Sequence, residues 1–454
     1  MRRHRPSGII AVLVGLAIAL AFVVSGALLR EVLSGSQGPS RWRNVLVDGK
    51  LGWKGVQADL KEDASSTLGL LAVGEVRSIG TETGCYVLYY PKELPDGPEM
   101  QNGVMLARIA GLDAEPQVST QLVQESVFCD PEEGGHLVLT GLVTQLVRDD
   151  GRPQAWYIDP GQRLLVKYDP AASALRTWAL PADLQGLHAR TYERLGMGLA
   201  VGTDGRRVHL AFSPADSEGL YYATYGLDGG GWAQQRLPGD GGWPQVLLRD
   251  SKAYVLALTS NGLVLFEGPA EPVDSDLATD AGGLAAGQWS QTVLSEAGSR
   301  SEFALIGGEA DLVAVVELDW APAHIHVHTR EGDVWHRELV KHVFFENVDV
   351  AQGDPVEIAP SGMVTRGGEV HVACFDPLEG EVQHVWKYEG DWVAEPVARA
   401  RDVSSTAITE AAGGVAIAYA DIRTREVRMA WRAWAETPPR PTSRMTRPDA
   451  SRRR

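Results

Sequence analysis

The sequence predicts an all-β protein, a β-propeller of about seven four-stranded blades with six or eight left open, behind an N-terminal transmembrane or signal helix. Two observations carry the propeller. The stretch Val370 to Trp392 (VHVACFDPLEGEVQHVWKYEGDW) reads as strand, turn, strand and the start of a third strand. Its side chains alternate with the period of two that sends neighbours to opposite faces of a sheet, and Asp376-Pro377 with Gly380 supplies the turn. The same frame recurs from Val208 to Trp232, Val313 to Trp335 and Val415 to Trp431. In all four the apolar residue that reopens the chain lies twelve positions after the opening valine, at Leu220, Ile325, Val382 and Val427. The last three units start 57 and 45 residues apart, a spacing that suits small sheets unable to bury their faces alone.

The third observation concerns the N-terminus. Residues 2–5 are Arg-Arg-His-Arg, and Gly8 to Leu29 is a run of 22 residues without charge. About 20 apolar residues let a helix cross a bilayer. The basic flank keeps the N-terminus cytoplasmic and puts the rest outside. A cleaved signal peptide is the rival reading, with small residues at Ser25, Gly26 and Ala27. Leu28 and Leu29 extend the apolar run past that point and favour an uncleaved anchor. Residues 1–30 are thus expected to be anchor or signal, with the membrane contacted through residues 8–29, and residues 31–40 a flexible linker around SGSQGPS.

The propeller is expected over residues 41–435. Arg41 to Val47 (RWRNVLV) is a lone strand, and the last unit, after Val415, lacks a fourth. The early strand is therefore expected to complete the last blade, which closes the ring and removes two open edges. Meanders fall at Leu68–Val123, Ser126–Leu180, Met197–Leu237, Gln245–Leu294, Phe303–Val340, Glu357–Ala398 and Ser404–Trp434. Residues 436–454 are rich in Pro, Ser and Arg and are expected to be a disordered basic tail.

The chain carries −17; residues 1–30 hold four arginines and no acid, so removing them leaves −21. An acidic body repels phosphate backbones, so nucleic acid is not expected as a partner. With three cysteines, Cys85 and Cys129 form the one pair open to an exported protein, while Cys374 sits in a strand as a small hydrophobe.

Several residue sets invite a chemical reading. His324, His326 and His328 alternate, so one strand face would carry three imidazoles, a candidate metal set. Residues two apart stand about 6.5–7 Å apart at 3.3 Å per residue, too far to converge on one ion. Strand histidines are the simpler reading, and neither metal nor cofactor is expected. His209 and His371 share a frame position, which points to hydrogen bonds between strands. Asp319, Asp376 and Asp421 share the place six residues after the opening valine, where they form a candidate rim of carboxylates. An Asp there commonly bonds its own turn. Trp178, Trp232, Trp289, Trp335 and Trp392 recur about once per unit, as packing between blades requires.

The frame resembles the repeats of bacterial exported propellers of the sialidase-like, aspartate-box superfamily over 208–232, 313–335, 370–392 and 415–434. The resemblance implies the propeller architecture. The family's Ser-x-Asp-x-Gly-x-x-Trp box is not met, because Leu227 to Trp232 lacks the Ser and brings Trp one residue early. The family's arginine trio and tyrosine nucleophile have no matching positions, so the catalysis is not carried over. The expected function is binding or scaffolding of an envelope protein or glycan outside the cytoplasm. The alternatives are a sialidase-like glycoside hydrolase and a purely structural envelope protein.

Overall fold

The structure, a computed structural model, describes residues 42–48, 76–89, 92–93, 101–127, 144–149, 152–159, 164–179, 199–213, 219–227, 231–239, 241–270, 289–296, 301–307, 313–319, 324–343, 360–400, 403–421, 424 and 426–434. The expected leader (1–30), linker (31–40), Cys129 and tail (436–454) lie outside these residues.

The strands form seven antiparallel sheets, each built mainly of four strands. Blade 6 shows the pattern: Ser361–Val364, Val370–Asp376, Glu381–Tyr388 and Asp391–Arg399 lie side by side in chain order. The first strands of successive blades touch around a complete circuit, the strand Val76–Thr81 of blade 1 meeting Val403–Ala411 of blade 7. This circuit makes the ring, a seven-bladed β-propeller. The strand Arg43–Asp48 sits beside Glu426–Ala433 and completes blade 7, as expected from the sequence.

Blade limits follow the sequence expectation closely from blade 3 onward. Earlier they differ: blade 1 runs to Val127 and carries a two-residue extra strand, Lys92–Glu93, while blade 2 opens only at Thr144. Each blade offers two ends. One rim holds the turns joining first to second and third to fourth strands; these are short at Glu82-Thr83, Glu389-Gly390 and Ala412-Gly413. The other holds the turns joining second to third strands and the passages between blades.

The core lies between blades. The reopening residues Leu220, Ile325, Val382 and Val427 are all buried, Leu220 and Val427 in clusters that join their blade to the next. Each such side chain contributes about 1.5–3 kcal/mol by leaving water. The recurrent tryptophans belong to these seams: Trp289 packs with Tyr222 across blades 3 and 4, and Trp178 stacks on Trp156 beside the blade 2–3 cluster. Cys85 is buried in the blade 7–1 seam. Near the axis first strands approach closely: a Cβ on Gly80 would stand 1.7 Å from the carbonyl oxygen of Glu410.

Candidate functional site

Two sets of polar side chains stand out among the described residues, one sealed within the blades and their seams, the other at the rim of second-to-third-strand turns. The longest sealed chain joins blades 6 and 7. His371, on the second strand of blade 6, bonds through Nδ1 to Nε2 of His384 on the third, at 2.8 Å. His384 Nδ1 reaches Glu395 Oε1 on the fourth strand at 3.0 Å, and Arg432 Nη1 of blade 7 lies 2.5 Å from that oxygen. All four side chains are buried. Trp386 stacks on His384, 4.7 Å between ring centroids, and the Arg432 guanidinium lies over Trp386.

One proton pattern fits this chain. Glu395 is a carboxylate against Arg432, so His384 donates from Nδ1 and its Nε2 accepts from His371 Nδ1–H. Both imidazoles are then neutral. Burial first, then electrostatic repulsion from the His384 and Arg432 side, pushes His371 down to about 2, and burial holds His384 well below the usual range. A further proton would go to His371 Nε2, which is buried without a hydrogen-bond partner.

His209 repeats the arrangement in blade 3. Its Nδ1 bonds Tyr222 Oη at 2.6 Å, and Tyr222 donates to the Ala270 carbonyl of blade 4. Partner follows histidine by 13 residues in both blades, at Tyr222 and His384. In blade 5 a buried Glu317 accepts from His328 Nε2 at 2.8 Å and from Arg337 at 3.2 Å. Burial alone would raise its pKa. The hydrogen bond and charge of His328, with Arg337, prevail and hold Glu317 at about 2.

These contacts give the sequence-predicted histidines different partners, although the rings of His324 and His326 still meet at 5.8 Å between centroids. His328 is sealed against Glu317, while His326 Nδ1 is 3.1 Å from the Arg337 guanidinium. Burial, then Arg337, lowers His326 to about 4. His324 instead faces His342, its cross-strand neighbour, 4.3 Å between ring centroids. Among the described residues, no group of three or more His, Cys, Asp or Glu side chains is placed to hold a metal ion.

The three aspartates all lie at the rim of second-to-third-strand turns. Asp376 Oδ1 accepts the amides of Leu378 and Glu379, and Asp421 Oδ1 accepts that of Thr424, so both shape their own turns. Asp376 Oδ2 also takes Lys341 Nζ of blade 5 at 2.8 Å; Lys341 donates to Gln383 Oε1 at 2.5 Å. Asp319 stands across from His324, 3.6 Å from Arg337.

Asp319, His324 and His342 thus form one row over three adjacent strands, partly exposed, with Arg337 and His326 behind it. The row offers a carboxylate, two imidazoles and a guanidinium, groups that hydrogen-bond hydroxyls, amides or carboxylates. Cys374, by contrast, is sealed and its thiol is pushed up to about 12 by burial, which removes it as a nucleophile at neutral pH. Sequence reasoning missed His342, Arg337, His384, Glu395 and Arg432, because each reaches its partner across strands or blades. The shared 13-residue interval was the one signal available for His384.

No known family model matches the chain, and no curated protein matches it. Solved structures similar to it include the β-propeller domain of the Trilobed protease from Pyrococcus furiosus, at 9% identity over 79% of this chain and 93% of that one, TM-score 0.43. Another is the propeller domain of Cps50 (Swd1) from Myceliophteria thermophila, at 10% identity, 78% and 95% coverage and TM-score 0.44. The NanB sialidase from Streptococcus pneumoniae is also similar, at 10% identity, 80% and 69% coverage and TM-score 0.39. None of these likenesses reaches beyond fold.

Proposed function

We propose that this chain is an extracytoplasmic propeller that binds or scaffolds an envelope protein or glycan, held at a membrane through residues 8–29. The observation that carries the binding role is the division of polar groups. Inside the ring, histidine and carboxylate side chains hold strands and blades together, as His371, His384 and Glu395 do. At the second-to-third-strand rim, Asp319, His324 and His342 remain partly exposed in one row. The three are strand-end residues, held in place by the sheet, and binding groups are commonly presented at such edges of a rigid scaffold.

The membrane assignment rests on the apolar run and its basic flank. It places the body in the periplasm or at the cell surface.

A chain of residues 31–454, immobilised and exposed to envelope extract and to a glycan array, tests the role. Capture of a discrete partner that His324→Ala/His342→Ala weakens at least tenfold supports it. Turnover of a fluorogenic glycoside panel would replace it with the hydrolase reading. Neither capture nor turnover would leave a purely structural protein.

A further inference from the structure

The two ends of the ring differ in charge. Among the described residues, the rim of first-to-second and third-to-fourth-strand turns exposes Glu82, Asp113, Asp204, Asp250, Asp333 and Glu389, spread over blades 1, 3, 4, 5 and 6. The exposed bases on that rim, Arg152, Arg206, Lys252, Arg366 and Lys387, offset only part of this charge. At the other rim exposed Glu296 and Glu379 are balanced by exposed Arg236 and Arg399. A surface of one sign draws a partner of the other and orients it on approach.

Beneath the acidic rim, between blades 6 and 7, lies a buried acceptor without a donor. His371 is 3% exposed, and its Nε2 has no hydrogen-bond partner. Its Nδ1–H is given to His384, so Nε2 carries a lone pair. That nitrogen is aimed at the rim, 3.8 Å from Oε2 of Glu369, a carboxylate 77% exposed on the turn between the first two strands of blade 6. The half-exposed ring of Trp434 lies against the imidazole, 5.1 Å between centroids, held by a bond from its amide to the Gly413 carbonyl of blade 7. Blade 3 repeats the placement, with His209 Nε2 3.3 Å from Asp204 Oδ2 on the same rim.

We propose that this rim docks a partner protein through a lysine- or arginine-rich segment, one of whose side chains seats against Glu369, His371 and Trp434. Each group in the seat suits a cation that carries N–H donors. Glu369 supplies the opposite charge, Nε2 an acceptor, and the indole a ring face for cation–π contact. Nε2 is screened from water, so the seat opens as the Trp434 ring shifts off the imidazole. The acids of the neighbouring blades take the remaining basic side chains of the segment. This surface is separate from the row of Asp319, His324 and His342 and stands without it.

The test is fluorescence anisotropy of a labelled heptalysine peptide with the full chain in nonionic detergent, at low and at physiological salt. Saturable binding that weakens with salt is expected. Glu369→Gln and Trp434→Leu should each weaken it about fivefold, the size of one partly exposed ion pair or cation–π contact. Glu82→Gln/Asp333→Gln/Glu389→Gln should weaken it about tenfold or more, and Glu296→Gln/Glu379→Gln on the other rim by less than about twofold. All these side chains are exposed or half-exposed, and circular dichroism confirms that the variants fold. No binding at low salt overturns the proposal, as does equal weakening by the two rims, which would mean attraction to the acidic body as a whole. Full displacement of the peptide by spermine at equal charge would replace the protein segment with a polyamine. Binding that appears only after residues 436–454 are deleted would replace the partner with the chain's own arginine-rich end.

Discussion

The sealed pair His371 and His384 makes the blade 6–7 seam sensitive to acid. Both imidazoles are neutral in the fold, and His371 is held at about 2 by burial and by its neighbours. In the unfolded chain a histidine titrates near 6.5. The folded value is depressed, so as pH falls below about 6.5 the unfolded state takes up a proton that the folded state refuses, and stability drops. From pH 7.5 to pH 4.5 the loss at His371 is two pH units at 1.36 kcal/mol each, about 3 kcal/mol. His384 is shifted the same way and adds to it. Such a loss is a large part of a net stability of about 5–15 kcal/mol. Urea unfolding followed by tryptophan fluorescence at pH 7.5, 6.0 and 4.5, for the wild type and His371→Gln, reads the effect. The variant loses a buried hydrogen bond and is weaker at pH 7.5, yet it should lose about 3 kcal/mol less on acidification. Contributions from His209, His324 and His326, which are lowered in the same direction, cancel in the comparison. Parallel pH dependences in the two proteins would refute the proton pattern assigned to this chain.

Other consequences are as direct. Gly80→Ala puts a methyl 1.7 Å from the Glu410 carbonyl oxygen, so blades 7 and 1 must part; a loss of about 1–3 kcal/mol or more is expected by calorimetry. Gly231→Ala, with open space around its Cβ, should be close to neutral. Lys341→Met leaves the buried Asp376 carboxylate without its cation and should cost about 3–5 kcal/mol. Adding Asp376→Asn keeps the Oδ1 acceptor for the turn and should recover at least half of that loss. Deleting residues 43–48 exposes the edge of Glu426–Ala433, and light scattering should show association absent from the full ring. Cys374 should resist a neutral thiol reagent in the native protein and react within minutes in denaturant, as its burial requires.

Much of the fold could be read from residues because backbone geometry imposes it locally. The twelve-residue interval from Val208 to Leu220 or from Val370 to Val382 is a strand plus a turn, and the structure buries Leu220 and Val382 alike. The edge left open after Val415 announced its partner at 43–48. Asp376 and Asp421 were legible because a turn aspartate acts on amides two or three residues away. Blade 1 was harder. Its last two strands, Gln101–Ala110 and Gln117–Val127, are long and polar in part, so the frame that marks later blades is blurred. The site was least legible of all. His342 meets His324, and Arg432 meets Glu395, through pairings set by tertiary placement, and a bulge between Ile325 and His326 shifts register just where the imidazoles sit.

The strand that locks the circle is also the earliest part of the body to be synthesised. It stays unpaired until residues 426–433 exist, nearly the whole length of the polypeptide later. Six blades and most of a seventh can gather while the last seam gapes, since each packs on a neighbour already made. Sealing is then a single late event with the longest loop this topology allows. During that interval two bare β-edges face the surroundings, and the hazard of joining a second copy is concentrated there.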